Sequence, residues 1–166
     1  MENKSPCVEE LDGRTVLIDT SSLFHFDSVE RFFAESGKYG INIRVPDAAF
    51  RDIREIRDIN EYRKINGLLS EMSRLRRFKY IGIPGESSAD SIVRYCMQRR
   101  MKIPLAVITQ DKRLGRDIMA INAFKSSVGR TIPIYHFNFD SDFEAFSRRV
   151  DEFCKEAEEL INMKNM

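Results

Sequence analysis

Leu105 to Thr109 (LAVIT) is an unbroken run of apolar and β-branched residues, and Asp111 follows it two residues later. A run of this kind is typical of a buried strand in a parallel sheet. Thr15 to Asp19 (TVLID) has the same character and itself ends in a carboxylate. We therefore predict two buried parallel strands whose carboxyl ends carry aspartates.

Extended and helical patterns alternate along the rest of the chain. Three more segments are predicted strands: Ile41 to Val45, Lys79 to Ile83 and Ile132 to Phe137. The apolar spacing predicts five helices. The first covers Ser28 to Ser36 and follows a capping box at Asp27, and the second begins at Pro46. The other three cover Tyr62 to Leu75, the residues after Ser87 or Ser88, and Lys112 to Ile121. Strands that alternate with helices indicate an α/β fold, a three-layer sandwich whose mainly parallel central sheet is flanked by helices on both sides.

The chain of 166 residues is long enough for one domain with its own core. We predict a polar leader over residues 1–13, the α/β domain over residues 14–138 and an amphipathic helix over residues 139–166. The final helix repeats apolar residues at a spacing of three then four: Phe143, Phe146, Val150, Phe153, Ala157 and Leu160. This stripe packs on the domain or forms a symmetric dimer interface, and the sequence leaves both arrangements open.

Several kinds of segment and chemistry are missing from the sequence. The N-terminus lacks the apolar core of a signal peptide, and the longest apolar run, Ile103 to Ile108, is too short to cross a bilayer. The cysteines have neither zinc-binding nor disulfide-framework spacing. Phosphate-loop, dinucleotide-binding and nucleophile-elbow motifs are also missing. We expect a soluble, cytoplasmic protein with no membrane partner.

The net charge of +1 conceals a separation of charges along the chain, because basic residues crowd the middle and acidic residues crowd the end. Five arginines of the middle are predicted to form an RNA-binding patch: Arg74, Arg76, Arg77, Arg99 and Arg100. A solvated helix face is the other interpretation of the same residues.

Four aspartates fall where the predicted fold gathers side chains: Asp19, Asp52, Asp90 and Asp111. Ligands bind beyond the carboxyl ends of strands in open parallel sheets, which is where Asp19 and Asp111 are expected. Crowded carboxylates repel one another unless a cation lies between them, and oxygen ligands without His or Cys favour Mg²⁺ or Mn²⁺. Such ions activate water for phosphodiester cleavage. Taken singly, each aspartate is equally well explained as a helix cap or turn former.

Four segments in order resemble the signatures of the PIN-domain ribonuclease family. They are Val16 to Leu23 (VLIDTSSL), similar to the family's opening strand; Val45 to Ile53 (VPDAAFRDI), similar to V-P-x-x-V-x-x-E-L; Ser88 to Ile92 (SADSI), similar to the acidic start of the next helix; and Thr109 to Leu114 (TQDKRL), similar to T-x-D-x-x-L. The resemblance runs from about Thr15 to Phe137.

The resemblance implies a PIN-like fold and metal-dependent cleavage of single-stranded or looped RNA. It implies these site residues: Asp19, Asp90 and Asp111 as ligands of Mg²⁺ or Mn²⁺, Asp52 as a fourth carboxylate where the family prefers Glu, Glu55 as its substitute, and Ser21 and Thr109 as polar neighbours. Family members are toxins with an inhibitory protein partner or act in RNA maturation and decay, and many form homodimers. The rival interpretation is a PIN-like module that binds RNA or a protein without cleaving.

Overall fold

The structure is a computed structural model that describes residues 6–123 and 131–137. Its strands are β1 (Thr15–Ile18), β2 (Asn42–Pro46), β3 (Phe78–Ile81), β4 (Leu105–Ile108) and β5 (Ile134–Tyr135). Its helices are α1 (Pro6–Glu10), α2 (Thr20–Leu23), α3 (Phe26–Ser36), α4 (Ala48–Arg54), α5 (Ile59–Ser73), α6 (Ser88–Arg99) and α7 (Lys112–Ala123). The helix predicted over residues 139–166 lies outside the described residues.

The strands form one sheet of five parallel strands in the order β3-β2-β1-β4-β5. The parallel sheet predicted from the alternating pattern is confirmed. From β1 the chain first moves outward through β2 and β3, and then returns to add β4 and β5 on the other side of β1. The strand order therefore reverses between β1 and β4, and a crevice opens at the carboxyl ends of these two strands.

Each face of the sheet carries its own apolar core, because successive residues of a strand point to opposite faces. Val16 is aligned with Ile43 and Ala106 and faces the core under α3, α4 and α5. Leu17 is aligned with Val107 and faces the core under α6 and α7. The helices contribute buried residues to the first core (Val29, Phe32, Ile53, Ile65 and Leu69) and to the second (Ile92, Cys96, Leu114 and Ile118). The predicted three-layer arrangement is confirmed.

Two predicted helix starts are wrong. Pro46 ends β2, where it is aligned with Ile81, and α4 begins only at Ala48. A proline is tolerated at the end of a strand because the pairing there needs no N–H from it. The capping box at Asp27 does not form, because α3 begins at Phe26 and Asp27 lies inside its first turn.

The segment predicted as a polar leader contains α1, and Val8 and Leu11 are buried in the first core. Its side chains are therefore part of the packing of the α/β domain. None of the helices in the described part of the chain is long and apolar enough to cross a membrane.

Gly82 directs the chain from β3 towards α6. Its φ of +119° belongs to a region that favours glycine, and a Cβ at this position would lie 2.9 Å from Ser91 Oγ. The turn brings Ser87 to the start of α6, where its hydroxyl accepts a hydrogen bond from the backbone N–H of Asp90 at 3.1 Å. The start of α6 is thereby fixed next to the carboxyl ends of the strands.

Candidate active site

The candidate site lies in the crevice between β1 and β4. Asp19 directly follows β1, and its backbone N–H donates to the carbonyl of Ile108, the last residue of β4, at 3.3 Å. Asp19 also caps α2, because its carboxylate accepts from the backbone N–H of Ser22 at 3.2 Å. One aspartate therefore ends a strand, starts a helix and connects both to the neighbouring strand.

Hydroxyl groups surround the Asp19 carboxylate, which is only 4% exposed. Ser21 Oγ lies 2.8 and 2.7 Å from its two oxygens, Ser22 Oγ lies 3.0 Å from Oδ1, and Thr109 Oγ1 lies 2.6 Å from Oδ2. All three hydroxyls donate to the carboxylate. Ser21 and Thr109, predicted as polar neighbours of the site, thus contact its most buried carboxylate directly.

Burial raises the pKa of Asp19 above its ordinary value of 3.8, and the hydrogen bonds from Thr109, Ser21 and Ser22 only partly oppose this rise. Desolvation disfavours the charged form of a carboxyl group, whereas a nearby cation favours it. The hydroxyls alone therefore do not compensate fully for burying this charge.

The same hydroxyls orient the segment after β4. Thr109 Oγ1 accepts from the backbone N–H of Asp111 at 3.0 Å, and Ser21 Oγ accepts from the backbone N–H of Gln110 at 3.0 Å. The Asp111 carboxylate in turn accepts from the N–H groups of Arg113 at 2.9 Å and Leu114 at 3.4 Å, at the start of α7. Asp19 and Asp111 both act as helix caps, as their alternative interpretation predicted, and Thr109 joins them.

Asp52 reaches the site from the third element, α4. Its Oδ2 accepts a hydrogen bond from Thr20 Oγ1 at 2.8 Å, and its side chain is half-buried. Glu55, the proposed substitute, is the exposed residue at the end of α4. The structure brings both carboxylates to the site but gives only Asp52 a partner that fixes its orientation.

These side chains surround one cavity of about 530 Å³. It is lined by Asp19, Thr20, Ser21, Arg51, Asp52, Glu55, Gly85, Ser87, Ser88, Ala89 and Asp111. Three of the four predicted aspartates and Glu55 therefore share a cavity. Asp90 does not line it, although its neighbour Ala89 does, and its side chain is exposed in the first turn of α6.

The cavity offers only oxygen ligands of the kind that Mg²⁺ and Mn²⁺ prefer. Within residues 6–123 and 131–137, however, no three side chains of His, Cys, Asp or Glu are grouped closely enough to hold a metal ion. The carboxylates of Asp19 and Asp52 are instead held by hydroxyls. The donor set fits a hard divalent cation in its chemistry, and the carboxylates would have to draw together around it.

The five arginines predicted to bind RNA are not at this cavity. Arg77 immediately precedes β3, and Arg99 and Arg100 precede β4, so they lie towards the amino ends of the strands. Arg77 donates to Ser36 Oγ at 2.6 Å and to the Phe33 carbonyl at 3.2 Å. Arg100 is buried, and its guanidinium donates to the carbonyl of Ile121. An RNA-binding role for these arginines, with Arg74 and Arg76, stays a prediction.

Six residues that line the cavity were not predicted as site residues: Thr20, Arg51, Gly85, Ser87, Ser88 and Ala89. Two of them, Thr20 and Arg51, donate hydrogen bonds from their side chains. Thr20 orients Asp52, and its own backbone N–H donates to Ser88 Oγ at 3.3 Å, which ties α2 to the start of α6. Its position directly after Asp19 is a signal that was available in the sequence. Arg51 supplies a positive charge to the cavity, and its Nη2 donates to the Glu86 carbonyl at 2.9 Å. The signal in the sequence is that Arg51 begins a repeat of arginine, acidic residue and isoleucine over residues 51–59.

The fold is similar to that of a solved structure, described as the structure of the PIN domain endonuclease Utp24. The TM-score is 0.52 at 20% sequence identity, and the similar region covers 76% of this chain and 86% of that chain. No protein-family model and no curated protein matches the sequence. The chain has a PIN-domain fold, as the four sequence segments predicted.

Proposed function

We propose that the protein is a divalent-metal-dependent endoribonuclease that cleaves single-stranded or looped RNA. The observation that carries this proposal is that Asp19, Asp52 and Asp111, from three separate parts of the chain, line one cavity at the carboxyl ends of a PIN-type sheet. The similar solved structure is described as that of an endonuclease. Flexible RNA is the favoured substrate because its backbone and bases can be splayed into a cleft.

Each residue of the cavity has a distinct part in this proposal. Asp19, Asp52 and Asp111 would hold Mg²⁺ or Mn²⁺, which when bound supplies an activated water and stabilises the developing charge on oxygen. The hydroxyls of Ser21 and Thr109 hold the Asp19 carboxylate in one orientation. Arg51 presents a guanidinium that can bind a phosphate through paired hydrogen bonds. A ligand role for Asp90 stays a prediction.

The proposal is tested by adding Mg²⁺ or Mn²⁺ to protein prepared in chelator, and by measuring both the melting temperature and the cleavage of an unstructured RNA. We expect both to rise, because the folded state gathers the carboxylates and the unfolded chain does not. A ligand at a concentration 100 times its dissociation constant stabilises the folded protein by about 2.7 kcal/mol. Asp111→Asn is the matched control and should lose both responses. A wild-type protein that neither melts later nor cleaves with either ion would contradict the proposal.

One observation favours a second candidate, a PIN-like module that binds RNA without cleaving it. The carboxylates are separated and held by hydroxyls, and Asp52 stands where the family prefers Glu. RNA binding that is unchanged by chelator, with no cleavage, would favour this candidate. Predictions that the protein is cytoplasmic, dimerises or meets an inhibitory protein partner belong to either candidate and rest on the sequence alone.

Asp52→Asn should reduce cleavage far more than Glu55→Gln. Asp52 is oriented by Thr20 and half-buried, whereas Glu55 is exposed and makes no side-chain hydrogen bond among the described residues. We expect cleavage to fall more than about 100-fold in Asp52→Asn, because about 100-fold is the upper value for a residue that only contacts the ligands of a metal. In Glu55→Gln we expect cleavage to fall less than about 10-fold. Steady-state cleavage rates measure the difference. The reverse order would assign the fourth carboxylate to Glu55.

A further inference from the structure

Residues 51–59 (RDIREIRDI) contain three successive triplets, each made of an arginine, an acidic residue and an isoleucine. They begin in α4 and end at the first residue of α5. A spacing of three places residues near one another on a helix surface. On α4 this spacing places Arg54 next to Arg51, and the chain then carries Arg57 past the candidate active site in the segment between α4 and α5.

The acidic residues of this segment and its first isoleucine have clear roles, either in the candidate active site or in the fold. Asp52 and Glu55 line the active-site cavity. Asp58 caps α5, where its carboxylate accepts from two backbone N–H groups at 2.9 and 3.3 Å. Ile53 is buried in the core. Fold and catalytic site account for these residues, but they do not account for the arginines.

The three arginines of this segment lie along the chain from the active-site cavity to a second cavity. Arg51 lines that cavity beside Asp52, whereas Arg54 and Arg57 line a second cavity of about 410 Å³ together with Ile56, Ile59 and Tyr62. Arg54 and Glu55 are adjacent in sequence and line one cavity each, so the chain passes directly from one cavity to the other. We refer to Arg51, Arg54 and Arg57 as the arginine strip.

In the described part of the chain, no ion pair neutralises the positive charge of the arginine strip. Among the described residues no carboxylate lies within ion-pair distance of any of its three guanidinium groups, although acidic residues alternate with them in sequence. Arg54 and Arg57 are exposed. Next to them Ile59 is 57% exposed, and Tyr62 presents part of its ring to the same cavity.

We propose that the arginine strip and Tyr62 form the surface along which a single-stranded nucleic acid reaches the active-site cavity; this rests on the proposed function. Guanidinium groups without an ion-pair partner bind backbone phosphates, and an aromatic ring beside them stacks with a base in a sequence-tolerant way. Charge complementarity therefore selects a polyanion, and the aromatic and apolar lining selects one that carries bases. The strip meets the cavity at Arg51, next to Asp52, where the phosphodiester bond would be cleaved.

The experiment measures binding without cleavage, in chelator, by fluorescence anisotropy of a labelled oligouridylate of about 12 nucleotides, within the usual site size of single-strand binders. Arg54→Gln/Arg57→Gln is compared with Lys38→Gln/Lys102→Gln, which removes the same charge from two exposed lysines outside the predicted arginine patch, before the amino ends of β2 and β4. We expect the first variant to bind about 10-fold more weakly. Its slope of log affinity against log salt should fall by about 1.4, since each phosphate contact to a single strand contributes about 0.7. Both variants should melt like wild type, and the second should bind like it.

Three outcomes would overturn the arginine strip as a nucleic-acid surface. One is equal affinity and salt slope for Arg54→Gln/Arg57→Gln and wild type, and another is an equal loss in the Lys38→Gln/Lys102→Gln control. The third is strip-dependent binding of polyglutamate as tight as that of the oligonucleotide, which would assign the strip to an acidic protein segment. Failure of the proposed function looks different: binding would depend on the strip, and no divalent ion would support cleavage.

Discussion

Asp19→Asn is expected to abolish metal-dependent RNA cleavage while leaving the melting temperature in chelator equal to or above that of wild type. The substitution removes the most buried carboxylate of the cavity. Residues that only contact the ligands of a metal contribute up to about 100-fold to activity, so the loss of Asp19, a proposed ligand, should exceed that value. The fold should persist, because the amide keeps one acceptor oxygen. The Ser22 hydroxyl, moreover, has an alternative acceptor in the Ile108 carbonyl at 3.2 Å.

The direction of the pH dependence follows from the raised pKa of Asp19. Between the ordinary value of 3.8 and the folded value, the folded protein binds more protons than the unfolded chain, so its stability falls as the pH rises through that window. Asparagine does not titrate. The melting temperature of Asp19→Asn relative to wild type should therefore increase in chelator as the pH rises above about 4, the ordinary pKa of an aspartate. A variant that melts earlier than wild type at every pH would show that the hydroxyl network stabilises more than burial of the charge destabilises.

Sequence patterns predict the central strands and the meeting of the residues at their carboxyl ends, and the physical reason is the same for both. A strand buried on both faces must be apolar along its whole length, so Leu105 to Ile108 is visible without any tertiary information. The carboxyl ends of parallel strands lie at one end of the sheet, so carboxylates that follow β1 and β4 must be neighbours once those strands pair. The meeting of Asp19 with the Thr109 to Asp111 segment was predictable for this reason.

The direction of helix-borne side chains is not encoded so locally. Asp90 lies in the first turn of α6, the helix that follows β3, as predicted. Its side chain is nevertheless exposed and does not line the cavity, and the sequence alone does not predict this orientation. Arg77 and Arg100 were assigned to an RNA-binding patch because basic residues are frequent in that part of the sequence. Each lies shortly before a strand, however, and therefore near the amino ends of the strands, away from the candidate site. The helix boundary at Pro46 depended on pairing with Ile81, a residue distant in sequence.

The part of the site that sequence reasoning described least is the hydroxyl network, and Thr109→Val tests it. Thr109 is 3% exposed, and its hydroxyl joins the two strand-end aspartates by donating to Asp19 Oδ2 and accepting from the backbone N–H of Asp111. Valine keeps the β-branched shape and the extended backbone preference, so only the hydroxyl is lost.

With valine, the N–H of Asp111 loses its side-chain acceptor, and Asp19 loses the hydrogen bond that lowers its pKa most. We expect a loss of about 1–3 kcal/mol in the free energy of unfolding, the usual penalty for leaving a buried polar group unsatisfied. Cleavage should fall at least about 10-fold, because Asp19 and Asp111 are no longer held in one relative orientation. Thr109→Ser restores the hydroxyl and should recover most of both quantities, which denaturant titration and cleavage rates measure side by side. If the serine variant were as impaired as the valine variant, restoring a hydroxyl would not restore what this position supplies, and the bridge between the aspartates would not explain the loss.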